Sequence, residues 1–259
     1  MAKKNYASRT IRGKLRVCNY LLGDSRVGKY VPRTVSFTQT NLKMMTNKFT
    51  SLYVKPDVGS LGIGICKINR INDSYLLQEV VGKRQVSRRY NRIASLYERL
   101  NRGKHNRLII QQGVRLDKVN NRSYDIRVMV QRKPGGTWTC TGYMVKVGAA
   151  NKIVTNYYQG GSIYTLNKLH KQLHLSHEDR ERRRKKLTKA ALKVAKVLSN
   201  QKEGMHEMGI DFAYDTEQRL WILEVNSNHP QFHPLKQLDR KAYNKMKQFA
   251  ASYGRYDAK

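Results

Sequence analysis

The sequence predicts an α+β protein, and three stretches carry that reading. Near the C-terminus, residues 208–214 and 220–226 are rich in Ile, Phe, Tyr, Trp, Leu and Val, and the polar run Thr216-Glu217-Gln218-Arg219 between them suits a hairpin loop. In the first half, KPDVGSLGIGICKI (55–68) places a glycine-rich loop between two strands. Between these, RLIIQQGV (107–114) reads as a buried strand ending at Gly113, a natural hinge between two halves.

At 259 residues the chain is long enough for one compact unit or two small domains. Its charge is far from neutral: 51 Lys and Arg against 18 Asp and Glu give +33. Such a chain attracts anions, so the expected partner is nucleic acid, an anionic polymer, a phosphorylated cofactor or an acidic protein. The basic start MAKKNYASRTIRGK lacks the apolar core of a secretory signal, and no run reaches the length of a membrane span. The expected location is therefore cytoplasmic. Cys18, Cys66 and Cys140 are odd in number and lack metal-type spacing, which fits thiols in a reducing compartment.

In chain order, residues 1–33 read as a small irregular or β-containing opening segment, with glycines at 13, 23 and 28. Residues 39–48 suit a short helix, 51–55 and 65–68 strands, 74–88 two strands round Gly82, and 89–101 an amphipathic helix. Residues 123–148 read as two strands joined at Pro134-Gly135-Gly136, and 151–162 as a polar loop after a short strand. The clearest helix spans 178–202: Leu187, Ala191, Val194 and Leu198 form one apolar stripe, and Glu178, Asp179 and Glu181 suit the N-terminal dipole. Its other faces carry nine cations between Arg180 and Lys196, either a solvated surface or a polyanion-binding ridge. A closing helix is expected over 236–252, with Leu238, Tyr243, Met246 and Phe249 available to pack.

Candidate chemistry lies in four places. If Asp215 faces Leu220 across the hairpin loop, counting back and forward sets Asp211 opposite Glu224. Asn226 then shares a face with Glu224, while Trp221, Leu223 and Val225 point to the core. Two carboxylates placed opposite each other need a counter-charge, which a hard cation such as Mg²⁺ or a Lys or Arg can supply. In the glycine-rich loop, Lys55 with Gly59, Ser60, Gly62 and Gly64 can hold phosphate oxygens or form a simple turn; unlike a Walker A loop, it does not open a helix. Asp125 and Arg127 share a strand face, as a structural ion pair or as a phosphate contact if that face looks into a cleft. His170, His174 and His177 have metal-type spacing if helical, and His229 and His233 are placed to meet a substrate.

Taken in order, Lys55 with its glycine loop, the hinge from Gln111 to Val114, Asp125-x-Arg127, and Asp211 with Glu224-x-Asn226 resemble the ATP-grasp superfamily. The spacing from Asp211 to Glu224 and Asn226 is similar to that of the D-alanine:D-alanine ligases. The runs YDIRVMVQ and VTNYYQGG are similar to the ribosomal-protein glutamate ligases. The pattern between Thr34 and Pro230 resembles most the spore-coat-associated YheC/YheD-type branch.

That resemblance implies an ATP-grasp fold, two α+β subdomains closing on ATP. Residues 34–112 would form the glycine-rich lid and 113–259 the half with the metal hairpin, after the basic segment 1–33. It implies that Lys55 and the backbone around Gly59, Ser60, Gly62 and Gly64 hold the phosphates, that Gln111, Gln112 and Val114 frame adenine, and that Asp117 meets the ribose. Arg127 would stabilise charge on the transferring phosphoryl group. Asp211, Glu224 and Asn226 would hold Mg²⁺, and Asn156 and Gly161 would line the acceptor side. Gln111-Gln112 stands where related ligases often carry a glutamate, and His229 replaces an expected small residue.

The function so implied is an ATP- and Mg²⁺-dependent ligase joining a carboxylate to an amine, or less often a thiol, through an acyl-phosphate. The expected substrate is an acidic peptide or protein, and the expected setting the spore coat or sporulation. The competing reading is a non-catalytic basic protein of the same fold that binds nucleic acid or an acidic coat component.

Overall fold

The computed structural model describes residues 4–59, 62–81, 84–102, 107–150, 152–155 and 160–257. The chain opens with α1 (Lys14–Leu22) and α2 (Ser25–Gly28). It then builds β1 (Thr34–Ser36), α3 (Gln39–Lys48), β2 (Ser51–Pro56), β3 (Cys66–Ile71), β4 (Ser74–Val81), β5 (Arg84–Tyr90), α4 (Ile93–Asn101) and β6 (Leu108–Gln112). These strands form one antiparallel sheet in the order β1-β6-β2-β3-β4-β5, covered by α3 and α4 through Leu42, Met45, Leu96 and Leu100.

The second half holds β7 (Lys118–Val119), β8 (Arg122–Gln131), β9 (Thr139–Val147), β10 (Ser162–Tyr164), α5 (Leu166–Gln172), α6 (His177–Gln201), β11 (Glu207–Tyr214), β12 (Leu220–Asn226), α7 (Leu235–Leu238) and α8 (Arg240–Ala251). Its sheet runs β10-β9-β8-β11-β12, with β7 paired to β8. One face packs on α6 through Val128, Ile210 and Phe212 against Leu187, Ala191 and Val194. On the other face Met129 and Met144 meet Phe232, Tyr243 and Met246. Each large apolar side chain so buried contributes roughly 1.5–3 kcal/mol.

The opening segment is helical, contrary to the irregular reading. Val17, Cys18 and Leu21 form a buried helical face, Gly13 (φ +95°) precedes the helix and Gly23 ends it. The glycines are helix ends rather than signs of irregular chain. Ile11, Val17, Leu21, Val27 and Val31 all enter the core under the second sheet, so this segment packs with the C-terminal half although it precedes the first sheet.

Other expectations are refined. The long helix starts at Ser176, whose hydroxyl accepts from the Asp179 amide, and its four expected stripe residues are buried. The closing helix is two, broken at Asp239, which caps α8 by accepting from Ala242 N; Leu238 is exposed, while Tyr243 and Met246 are buried. Among the described residues the short strand near Gly161 follows the polar loop instead of preceding it. His170, His174 and His177 do not share a helix face. His170 lies in α5, His174 adopts left-handed backbone (φ +51°) in the turn after it, and His177 begins α6. Among the described residues no helix is long and apolar enough to cross a membrane.

Gly113 joins the two halves by close approach. A Cβ there would lie 2.5 Å from Ser51 Oγ and 2.8 Å from the Ser51 carbonyl carbon, because Gly113 N donates to Ser51 O at 2.8 Å. Gly113→Ala is expected to destabilise the protein by about 1–3 kcal/mol through overpacking, read as a lower urea midpoint.

Candidate active site

The β11–β12 hairpin places Asp211 opposite Glu224, the pair the count expected, by a different route. Tyr214, not Asp215, faces Leu220, so the loop is longer by one residue; Leu223 then bulges out of β12 and restores the pairing. The bulge resets the alternation. Leu220, Ile222 and, beyond it, Val225 face the core, whereas Trp221 and Leu223 do not fill the places expected of them. Trp221 Nε1 instead donates to Asp215 Oδ2 at 2.9 Å, and Leu223 lines a small cavity with Lys14, Gln111 and Glu224.

Asp211 is buried at the centre of a charge cluster. Arg127, its cross-strand neighbour on β8, donates from Nε to Oδ1 at 2.8 Å and from Nη2 to Oδ2 at 2.9 Å. Lys146 on β9 reaches Asp211 Oδ2 at 2.9 Å and Asp125 Oδ1 at 2.8 Å. Asn226 Nδ2 lies 3.4 Å from Asp211 Oδ2, and Thr155 donates to Asp125. Burial alone would raise both carboxyls. At Asp211 the charges and hydrogen bonds of Arg127 and Lys146 outweigh it and hold the group below the ordinary carboxylate range, whereas at Asp125 burial wins and the group sits above it. Arg127 and Asp125 thus share a face, and the face belongs to an ion network.

Glu224, across from Asp211, has a different partner. Lys14 Nζ lies 3.3 Å from its Oε1 and donates to the Gly59 carbonyl at 3.0 Å. Asp57, just before that glycine, accepts from Leu15 N at 2.8 Å. The start of α1 therefore ties the glycine-rich loop to the hairpin. In the loop Gly62 and Gly64 have φ of +73° and +74°, where a side chain is strained, and Cβ atoms at Gly59 and Gly64 would press on Pro56.

Lys55 is buried. Its ammonium donates to Gln111 Oε1 at 2.7 Å and lies 3.5 Å from the Leu223 carbonyl, with no carboxylate at ion-pair distance among the described residues. Burial lowers its pKa, with the Glu224 charge acting against that. Gln111 in turn donates to Thr34 Oγ1 at 3.0 Å. A small cavity of about 20 Å³, room for about one water, lies here, lined by Val17, Val31 and Leu223 together with Lys14, Gln111 and Glu224.

The structure thus brings together Lys55, Gln111, Gly59, Glu224, Asn226, Asp211 and Arg127. Other candidates stand apart. Gln112 accepts from Arg33 N at 3.3 Å; Val114, the last residue of the hinge, is not among the cavity walls. Asp117 accepts from Tyr124 OH at 2.8 Å and from Gln218, toward the hairpin loop. Gly161 immediately precedes β10. Ser60 and Asn156 fall outside the described residues. His229 has left-handed backbone (φ +58°), with Nδ1 3.1 Å from Tyr6 OH and Nε2 3.8 Å from Asp257. Burial lowers its pKa, which favours neutral imidazole near pH 7. Its loop passes Arg127, whose Nη1 lies 3.4 Å from Gln231 O.

Lys14 and Lys146 were not foreseen. Lys146 was findable, since it pairs with Asp125 across the Pro134–Gly136 turn. Lys14 gave no local signal.

The donor types suit the groups the resemblance implies. Asp211, Glu224 and Asn226 offer only oxygens, as Mg²⁺ prefers. Glu224 is the accessible member, its side chain 29% exposed with Lys14 as its one ion-pair partner among the described residues. Asp211 already receives Arg127 and Lys146, so it can offer less. Among the described residues no group of three His, Cys, Asp or Glu gathers as a metal cluster. For phosphate the fit rests on Lys55, a buried cation with no carboxylate partner among the described residues, beside Gly59, Gly62 and Gly64.

Comparison with known proteins agrees with this architecture. The chain is 29% identical over 246 residues to the endospore coat-associated protein YheD of Bacillus subtilis, covering 90% of this chain and 53% of that one. Against YheC of the same organism it is 19% identical over 231 residues, covering 87% and 62%. The chain therefore spans only about half to three-fifths of these relatives. Among solved structures, N5-carboxyaminoimidazole ribonucleotide synthetase from Thermotoga maritima superposes with a TM-score of 0.51 at 12% identity, covering 96% of this chain and 51% of that one. The ATP-grasp ligase PsnB, complexed with minimal precursor, gives 0.51 at 14% identity, covering 93% and 60%. These likenesses show the ATP-grasp fold, and the family model described as YheC/D like ATP-grasp matches residues 3–256, so the chain belongs to that family.

Proposed function

We propose that the protein is an ATP- and Mg²⁺-dependent ligase that joins a carboxylate to an amine, or less often a thiol, through an acyl-phosphate. The observation that carries this reading is the convergence of Lys14, Gln111 and Glu224 beside buried Lys55, with Lys14 also bound to the Gly59 carbonyl of the glycine-rich loop. Phosphoryl transfer to a carboxylate asks little covalent chemistry of a protein; positioning and charge neutralisation do most of it.

In this scheme Lys55 and Lys14 hold phosphate oxygens, beside Gly59, Gly62 and Gly64. Arg127, fixed by Asp211, presents its remaining guanidinium edge to charge developing on the transferred group. Glu224 and Asn226, with Asp211 behind them, would hold Mg²⁺, which when bound neutralises phosphate charge. His229, neutral near pH 7, can accept the proton an incoming amine must lose. We further propose an acidic peptide or protein as the substrate, which the +33 charge would attract, and a setting in the spore coat, since the Bacillus subtilis relatives YheD and YheC are endospore coat-associated proteins.

The test has two arms. Titration of a non-hydrolysable ATP analogue with Mg²⁺ should show binding that Glu224→Ala weakens at least about tenfold, the scale of losing one metal-site interaction. Mass spectrometry of acidic peptides incubated with protein and ATP should show coupled products. Neither nucleotide binding nor ADP release with any acidic acceptor would sink the reading. A second reading, a non-catalytic polyanion binder, is favoured by the saturation of Asp211 with Arg127 and Lys146. It expects salt-sensitive binding that Glu224→Ala and Lys55→Ala leave unchanged.

A further inference from the structure

Helix α6 turns Leu187, Ala191, Val194 and Leu198 into the core against one face of the second sheet. Arg127, Lys146 and Asp211 cluster on strands of that sheet, joined to one another rather than to this core. The outer surface of α6 is therefore remote from the candidate active site, with the core and the sheet between.

That outer surface carries Arg182, Lys185, Lys189, Lys193 and Lys196. At 3.6 residues per turn these spacings make one stripe, roughly 21 Å long and opposite the apolar one. Arg182, Lys185, Lys189 and Lys196 are exposed and Lys193 is half-buried. Arg182 pairs with Asp179 in the first turn. Among the described residues, none of the four lysines has a carboxylate at ion-pair distance. Cations also continue off the stripe. Lys186 is close enough to Arg183, to Lys29 next to α2, and to Arg182 that their charges, after burial, lower its pKa. Like charges at this spacing repel in the free protein, and a bound polyanion relieves that repulsion.

The composition of the stripe distinguishes between polyanions. Protein interfaces are anchored by buried aromatic and apolar side chains and are depleted in lysine. None of the exposed large hydrophobic side chains lies on α6. The stripe also has no aromatic residue on which an unpaired base could stack and no amide to read a base edge. A row of lysine point charges along a helix matches the regular phosphates of a duplex, which carries one negative charge per ~1.7 Å of axis.

We propose that the outer stripe of α6 binds the phosphate backbone of double-stranded nucleic acid without regard to sequence. The test is fluorescence anisotropy of the full chain with a labelled DNA duplex of about 20 base pairs, between about 50 and 200 mM salt. Five phosphate contacts predict a slope of log K against log salt of about −4.5. The variant Lys185→Glu, Lys189→Glu, Lys193→Glu, Lys196→Glu should bind at least ~100-fold more weakly and flatten the slope by about 3.6. The corresponding four-glutamine variant, which adds no negative charge, should lose in the same direction by less. Lys43→Glu, Lys48→Glu, Lys241→Glu, Lys247→Glu changes the net charge equally on other surfaces and should cost less than about threefold.

Equal loss in that control would overturn the proposal, because the attraction would then belong to the whole surface. Competition by polyglutamate that matches the duplex charge for charge would also overturn it, in favour of an acidic peptide. No readout uses ATP, so this proposal and the ligase reading can fail separately.

Discussion

Asp211→Asn is expected to destabilise the protein by about 3–5 kcal/mol, the scale for breaking a buried ion pair by removing one partner. Arg127 and Lys146 both point at this carboxylate, and the Asp211 side chain is only 5% exposed. The amide keeps the shape but loses the charge, leaving two buried cations with Asp125 as their nearest anion. Because the Asp211 pKa is lowered in the folded state, its stabilisation is fully present above the 3.8 ordinary to an aspartate and is lost as pH falls through the lowered value. Asp125 has the opposite sign: its raised pKa favours folding at low pH and that contribution is lost as pH rises through it. Denaturant midpoints measured from neutral pH to pH 2 should therefore show the variant missing part of the parent's loss of stability on acidification. An Asp211→Asn protein as stable as the parent would mean that the cluster relaxes toward water, and that the carboxylate is not held by Arg127 and Lys146.

How much of this cluster was legible follows from where its members lie in the chain. Asp211 and Glu224 were paired correctly because two departures cancelled: the loop is a residue longer than counted, and the bulge at Leu223 absorbs the difference. The same bulge misled the assignment of faces, since alternation holds only within an unbroken ladder. The ATP-grasp resemblance was legible because Lys55, the glycines after it, Asp211, Glu224 and Asn226 are spaced along single hairpins, where geometry follows from counting. Lys14 belongs to no such unit. It meets Gly59 and Glu224 across long stretches of chain, through the helix that the glycines at 13 and 23 concealed. Asp117, given by the resemblance alone, has partners that its place in the chain does not announce: Tyr124 and Gln218 both donate to its carboxylate.

Lys55→Met separates function from stability. Phosphate positioning by one buried cation is expected to be worth about 10²–10³ in the rate of ATP use, the scale of removing one preorganised donor. Yet the ammonium is buried with the Gln111 amide oxygen and the Leu223 carbonyl near it and, among the described residues, no carboxylate at ion-pair distance, and burial already pushes its pKa down. A charge desolvated without a counter-ion opposes folding, whereas a methionine of similar length fills the same space. Gln111 Oε1 loses one donor, a penalty of about 1–3 kcal/mol that offsets part of the gain. The expected outcome is a variant within about 1 kcal/mol of the parent in urea unfolding that uses ATP about 10²–10³ times more slowly. Strong destabilisation with nucleotide binding intact would reverse the assignment and make Lys55 a structural residue of β2. Loss of both would implicate the tie between β2 and β6, and Gln111→Leu, which removes the oxygen but leaves the ammonium, would then reproduce the instability while sparing part of the binding.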